Sequence, residues 1–383
     1  MPDVFDEAHR RCRGGEPVAL ATVVATWRSA PQPPGATMLV AADGTVTGSV
    51  SGGCVEADLY ERARRVLDTG APELTRYGIS DDDAYTVGLT CGGVLDVFVE
   101  RVDAHALPEL DAIAAARRDG RPAAVVTCVA ADAGDPPGPV PADPAGRLGR
   151  RLVLTGRQPT GSLGDDRLDA AAGADALGLL AAGHSGMLRY GYHGQRLGCG
   201  VSLFVTAFAT PPRMIVFGAI DFAAAVARIG AFLGYRVTVC DARPVFTTTR
   251  RFPEADEVVV QWPHRYLRTE VDAGRVDERT VVCVLTHDPR FDVPLLEVAL
   301  RHPLAYVGAM GSRRTHDERL KLLREAGVSP AQLARLASPI GLDLGGRTPE
   351  ETAVSVAAQI VAARWGGTGR PLVALDGPIH QLG

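Results

Sequence analysis

Two patterns of apolar positions divide the chain. Up to residue 210, short β-branched runs alternate with polar turns and a few amphipathic helices. Residues 3–13 read as a short helix, and 17–27 as a strand. Leu39-Val40 and Val46 flank Asp43-Gly44, a dipeptide that accepts the positive φ of a tight turn, so this stretch reads as a hairpin. Val55, Leu59, Ala63 and Val66 then mark one helical face that stops at Gly70. A strand at 74–77 follows, then an alternating strand with Val94, Val97 and Val99. A helix over 107–118, strands at 123–129 and 151–154, a helix over 170–182 and strands at 187–190 and 201–207 complete this part.

Beyond Pro211-Pro212 the period changes. A buried strand at 214–218, a helical face of Phe222, Val226, Ile229 and Leu233, and a strand at 235–241 make a βαβ unit. Strands at 258–260, 281–286 and 304–307 continue the alternation, with a helix from Pro294 to Leu300. Thr315 with Glu318 and Thr348 with Glu351 have capping-box spacing, and Gly366-Gly367 closes the last helix. The expected class is α/β: a mixed α/β domain over 1–210, then a Rossmann-like, doubly wound parallel-sheet domain over 211–383. Residues 130–145, rich in Pro, Ala and Asp, read as a surface insertion in the first domain.

Candidate chemistry gathers at glycine corners. Ser51, Gly52, Gly53 and Cys54 precede the 56–67 helix, where amide groups favour an anion and a thiol ionises more easily. The alternative is a tight corner with Cys54 as a small buried hydrophobe. Cys91, Gly92 and Gly93 form a second such corner, which suggests a composite pocket with two thiols. Arg28 and Ser29, on a proline-stiffened loop, suit a phosphate clamp or a solvated turn. The acidic turn 80–83 lacks the spacing of a calcium loop and reads as solvated. His184, His193 and Cys199 lack metal-site spacing.

In the second domain the carboxyl edge of the sheet should carry Gly218, Asp241, 286–290 and the turn Gly308, Gly311, Ser312, Arg313 and Arg314. The arginine pair before a helix suits a phosphate or other anion; Asp241 suits a ribose hydroxyl or a sheet-end cap. Ile220 stands where the dinucleotide fingerprint asks for its second glycine, which counts against ordinary NAD(P) binding. A ligand with one phosphate, or one bound farther out, stays open. His287 and Asp288 are a candidate acid/base pair, and no catalytic role is assigned.

Composition narrows the classes. The 383 residues carry a net charge of −5 and only 5% aromatics, which argues against a nucleic-acid surface. No apolar run reaches the roughly 18 residues of a membrane span. Seven cysteines, without a C-x-x-C pair, exclude a zinc ribbon and a secreted disulfide framework, so a cytoplasmic location is expected.

Taken together, PQPPGATMLV, GSVSGGCVEAD and GLTCGGVLDVFVE in the first domain resemble the XdhC/CoxI family. So do VTVCDAR, RFPEAD, VLTHDPRFD, YVGAMGSRRTHDERL and PIGLDLGGRTPEETA in the second. The resemblance implies an accessory chaperone that binds molybdenum cofactor (molybdopterin) as cargo, supports its sulfuration and delivers it to a xanthine dehydrogenase or related molybdenum hydroxylase. It also implies a homodimer and a cysteine desulfurase partner. Cys54 and Cys91 match the family's two corners and would be the molybdenum or sulfur contacts. Ile220 and Asp221 replace the family's usual Gly and His. The competing classes are an NAD(P)-linked oxidoreductase and a nucleotide-sensing regulator.

Overall fold

The computed structural model describes all residues except 1–2, 29, 79–92, 132–142, 157, 197, 287 and 377–383. The described chain divides into two compact units, one ending at Thr210 and the other running from Pro211 to Asp376.

The first unit begins with α1 (Val4–Arg13), β1 (Val18–Trp27), β2 (Thr37–Ala41), β3 (Val46–Gly48), α2 (Glu56–Thr69), β4 (Glu73–Tyr77) and β5 (Val94–Val102). It continues with α3 (Leu110–Arg118), β6 (Ala123–Ala131), β7 (Arg151–Leu154), β8 (Thr160–Gly161), α4 (Asp166–Ala182), β9 (Gly186–Tyr190) and β10 (Val201–Phe208). The second series repeats the first element for element. The two antiparallel sheets have the same order, β3-β2-β1-β5-β4 and β8-β7-β6-β10-β9. Even the irregularity recurs: a β-bulge leaves Val24 unpaired between β1 and β5, and Val129 between β6 and β10.

Each sheet packs apolar residues on both of its faces. Ala19, Ala21 and Val23 of β1 pack with Leu59, Ala63 and Val66 of α2, while Val126 and Cys128 pack with Leu168, Ala172 and Ala176 of α4. The opposite faces meet in a small cluster of Val24, Phe98, Val129 and Phe204, to which each sheet contributes one bulge valine and one phenylalanine. The layers are therefore helix, sheet, sheet, helix. β6 runs on to Ala131, so the first two residues of the 130–145 stretch belong to the strand and not to a surface insertion. Two helix starts also differ from the sequence pattern, α3 at Leu110 and α4 at Asp166, and local capping explains both. Asp103 accepts the amides of His105 (2.9 Å) and Ala106 (2.8 Å), which holds a turn ahead of α3 and delays its start. Asp165 accepts the amides of Arg167 (3.0 Å) and Leu168 (3.1 Å), so α4 begins before residue 170.

The second unit contains β11 (Arg213–Phe217), α5 (Asp221–Phe232), β12 (Arg236–Asp241), β13 (Glu257–Val260), α6 (Pro263–Asp272) and β14 (Val281–Val284). Then come α7 (Pro289–Leu300), β15 (Tyr306–Ala309), α8 (Arg313–Glu325), α9 (Pro330–Leu333), β16 (Leu336–Ala337) and α10 (Pro349–Trp365). All pairings are parallel, in the order β13-β12-β11-β14-β15-β16. This is the doubly wound Rossmann arrangement, with its switch point between β11 and β14. α5 and α10 cover one face; α6, α7 and α8 cover the other.

Here too some sequence readings need correction. α6 had no reading, because its alternating charged and apolar residues follow Trp262 without a capping side chain. α7 starts at Pro289, capped by Asp288, and carries Pro294 inside it rather than at its start. The cap of α8 is Ser312, whose hydroxyl accepts the Thr315 amide at 3.1 Å; Glu318 pairs instead with Arg314 at 3.0 Å. The Thr348–Glu351 box on α10 forms as read.

The repeated cluster yields a stability test. Phe98→Ala and Phe204→Ala should each cost about 3–5 kcal/mol in urea unfolding followed by tryptophan fluorescence. A double variant should fall short of the sum of the two, because the rings share one cluster.

Candidate functional site

The strand directions of the first sheet bring several sequence candidates to one edge. β1 ends there at Trp27, β3 at Gly48 and β4 at Tyr77, while β2 and β5 start there. Arg28, the Ser51–Cys54 corner and Gly93 all adjoin that edge. Cys91, Gly92, Ser29 and the acidic turn 80–83 lie outside the described residues.

The corner itself is built around a side chain that the sequence reading passed over. Glu56, the first residue of α2, folds its carboxylate back into the loop. Its Oε1 accepts from the Ser49 hydroxyl (2.6 Å) and the amides of Val50 (3.2 Å), Ser51 (2.9 Å) and Gly52 (3.1 Å). Its Oε2 accepts from the Ser51 hydroxyl (2.5 Å) and the amides of Gly53 (2.9 Å) and Val55 (3.2 Å). Burial opposes the charge, but the Ser49 and Ser51 bonds and the amides outweigh it and hold the carboxyl at about 2. The amides that seemed free for an external anion are thus taken by the chain. Gly52 (φ 78°) and Gly53 (φ 118°) supply the left-handed backbone that lets successive amides point to one centre.

Cys54 precedes the helix by two residues. It is half-buried, and its amide donates to the Ser51 hydroxyl at 3.0 Å. Burial pushes the thiols of Cys12 and Cys128 up to about 11 and that of Cys283 up to about 12, and it also raises Cys240. Among the described residues, Cys54 and Cys199 are the two cysteines that are not buried. Arg28 is exposed and holds φ 60°, a conformation that costs a non-glycine residue roughly 1–2 kcal/mol. Beside it, Arg76 lies 4.8 Å from the Trp27 ring and forms a two-pronged pair with the largely buried Asp96 (2.7 and 2.8 Å). Neither Arg76 nor Asp96 was a sequence candidate; their facing positions on paired strands were the available signal.

At the equivalent edge of the second sheet, His193 Nδ1 lies 2.7 Å from Asp165, the cap of α4. No cluster of His, Cys, Asp or Glu that could hold a metal occurs among the described residues.

In the second unit the carboxyl edge of the sheet is crowded by its own side chains. Gly218 (φ 114°) could not carry a Cβ, which would lie 3.0 Å from the Leu285 carbonyl carbon. Ile220 takes the cap position of α5 without a capping side chain. Asp221, in the first turn, binds Arg251 at 3.0 Å, so an anion at this helix start would face a carboxylate. Asp241 is buried, and bonds from Arg243 and from the Ala219 amide overcome its burial and keep it ionised. Its oxygens accept from the Ala219 amide (2.7 Å), the Arg243 amide (2.9 Å) and the Arg243 guanidinium (2.9 and 2.7 Å).

The Gly308–Arg314 candidates separate. Gly308 is buried inside β15, where a Cβ would lie 2.6 Å from Ile340. Gly311 (φ 151°) and Ser312 form the turn, and Arg313 and Arg314 open α8, with Arg314 exposed. Behind them lies a buried network absent from the sequence reading. Arg319 bonds Asp292 (2.9 Å), the Met310 carbonyl (2.8 Å) and Ser338 (2.9 Å), and Thr286 donates to Asp292. One ion pair thereby ties together the ends of β14, β15 and β16. Asp288 pairs with Arg290 (2.5 Å); His287 lies outside the described residues.

The Glu56 cradle sets a pH-dependent prediction. A carboxyl depressed in the folded state adds stability above its unfolded value, near 4.5, and loses it as the pH falls toward about 2. Glu56→Gln should therefore be destabilised by about 1–3 kcal/mol at neutral pH. The gap from the parent protein should close between pH 4.5 and 2 in thermal melts.

The XdhC and CoxI family matches residues 12–78, and the XdhC Rossmann domain family matches residues 214–360. A Bacillus subtilis protein, named as a probable xanthine dehydrogenase component, is 27% identical over 91% of this chain and 94% of its own length. The Escherichia coli molybdenum cofactor insertion chaperone PaoD is 25% identical over 91% of this chain and 84% of its own. A crystal structure described as a xanthine dehydrogenase from Bacillus halodurans superposes with a TM-score of 0.67 at 23% identity, covering 97% of this chain and 98% of that one. That likeness concerns the fold. The sequence motifs and both family matches agree: the chain belongs to the XdhC and CoxI family.

Proposed function

We propose that this protein is an accessory chaperone that holds molybdenum cofactor as cargo and inserts it into a xanthine dehydrogenase-type molybdenum hydroxylase. The relative named as an insertion chaperone aligns over most of both chains, which supports the class of activity. The observation that carries the reading is the corner at Cys54. Its amide donors are spent on Glu56, so what the corner offers a ligand is a half-buried thiol on a fixed loop. Thiolate sulfur suits a soft metal centre such as molybdenum in a dithiolene cofactor. In this reading Cys54 contacts the metal or its sulfur, with Cys91 as the second thiol, and Arg28 answers the cargo's negative charge. Arg313 and Arg314 are a further phosphate-binding pair of the same proposal, on α8.

The wider assignments belong to the proposal as well: a homodimer, a cysteine desulfurase as sulfur donor, and a cytoplasmic location. Six described cysteines, none of them in a disulfide, support a reducing compartment. No helix among the described residues is long and apolar enough to cross a membrane.

The test is anaerobic loading with freshly released molybdenum cofactor, then gel filtration and assay of molybdenum and pterin per chain. The expected result is near-stoichiometric retention, at least tenfold weaker in Cys54→Ala (about 1.4 kcal/mol). Retention of neither metal nor pterin, together with saturable binding of NADH, NADPH or CTP, would replace this reading by the oxidoreductase or sensor classes.

A further inference from the structure

The repeat in the first unit gives the Cys54 edge a counterpart. It is the edge of the second sheet where β6, β8 and β9 end and β7 and β10 begin. The corner recurs as well: the Ser162 hydroxyl accepts the Gly164 amide at 2.9 Å, as the Ser49 hydroxyl accepts the Gly52 amide at 3.0 Å. What occupies the corner differs. A carboxylate enters the first one, and two arginines border the second.

Arg147, in the turn before β7, is only 7% exposed. Its Nη1 donates to the Tyr192 carbonyl (2.8 Å) and its Nη2 to the Gly164 carbonyl (3.5 Å), and its guanidinium lies 5.6 Å from the Tyr192 ring. Carbonyls and a ring orient a guanidinium but do not neutralise it. The other two buried arginines of the described chain are treated differently. Arg11 binds Glu7 at 2.7 Å and Arg319 binds Asp292 at 2.9 Å. Arg147 has no carboxylate partner among the described residues.

A second cation adjoins it. Arg150 is exposed, and its Nε donates to the Gly146 carbonyl at 3.1 Å, which leaves both terminal nitrogens without a partner among the described residues. Gly164 (φ 96°) adjoins both guanidiniums: a Cβ there would lie 3.0 Å from Arg150 Nη1 and 3.7 Å from Arg147 Nε. The carboxylates around the turn are committed elsewhere. Asp143 accepts the Gly146 amide (2.9 Å), Asp169 the Leu163 amide (2.7 Å), and Asp165 caps α4 and meets His193 (2.7 Å). Two neighbouring guanidiniums, one of them buried, repel each other where water screens weakly. An anion that accepts from both relieves that repulsion, and the several oxygens of a phosphate group match two donor forks.

We propose that this edge of the second sheet binds the phosphate group of a small molecule, held by Arg147 and Arg150 beside Gly164. The site shares no residue with the Cys54 corner or with the Arg313–Arg314 pair, so it stands independently of the cargo assignment above.

The experiment is a phosphorus NMR titration of the full chain, at constant ionic strength, with inorganic phosphate and with glycerol 3-phosphate. A saturable shift is expected with at least one of them. Saturation by the ester alone assigns the site to a phosphomonoester, and saturation by inorganic phosphate assigns it to the free ion as well. Arg150 is exposed, so its variants leave the core intact. Arg150→Gln should weaken binding about tenfold, and Arg150→Lys should weaken it less, because it keeps the charge and loses the fork. The bound ligand should raise the melting temperature of the parent protein and leave that of Arg150→Gln nearly unchanged. No saturation by either ligand overturns the proposal. Binding that Arg150→Gln leaves intact, or that Arg314→Gln abolishes instead, also overturns it.

Discussion

A single carboxylate decides what the most conspicuous motif of this chain can do. A run of backbone amides converging before a helix is a strong anion site, and in sequence the Ser-Gly-Gly-Cys corner looks like one. Glu56 enters that site from within. It satisfies the amides of residues 50–53 and 55, fixes the left-handed glycines and starts α2 in the same stroke. The corner becomes rigid and electrostatically complete. Its remaining chemistry is the sulfur of Cys54, while the other described cysteines of this unit are either buried in the core or, like Cys199, placed in the loop before β10.

Repetition is the other organising fact. The two series of the first unit share element order, strand order and bulge position, yet their edges have diverged. Where the first copy wraps amides around Glu56, the second caps its helix with Asp165 and pairs that with His193. In the second unit a similar logic closes the carboxyl edge. Asp241 and Arg243 occupy each other, Asp221 and Arg251 do likewise, and Asp292 with Arg319 ties the loops beyond three strands. The groups that a dinucleotide pocket would use are thus already partnered inside the chain.

Much of the fold was legible because it rests on short-range physics. The Asp43-Gly44 hairpin, the βαβ period after Pro212 and the Thr348–Glu351 box are each written within a few neighbouring residues. What was hidden depends on contacts distant in the chain or on side-chain direction. The internal repeat does leave traces that the sequence reading missed: Pro17, Ala19, Thr22, Val24 and Ala25 recur as Pro122, Ala124, Thr127, Val129 and Ala130, Thr47-Gly48-Ser49 as Thr160-Gly161-Ser162, and Arg76-Tyr77-Gly78 as Arg189-Tyr190-Gly191. They are short and scattered, because sheet packing between them asks only for apolar residues of suitable size. Gly308 looked like part of a phosphate turn but is a packing glycine against Ile340. Ser312 rather than Thr315 caps α8, since two spacings compete and only the backbone turn at Gly311 chooses between them. Glu56 was overlooked because a glutamate at a helix start ordinarily serves the helix dipole, and nothing in its spacing tells that it turns back into the loop.

The central claim is that the corner presents sulfur to a soft metal and not amides to a phosphate. Molybdenum-edge X-ray absorption on the loaded full-length protein tests it most directly, comparing the parent chain with Cys54→Ser. The account predicts an additional sulfur neighbour of molybdenum in the parent that disappears in the variant. Identical spectra at equal molybdenum loading would contradict it.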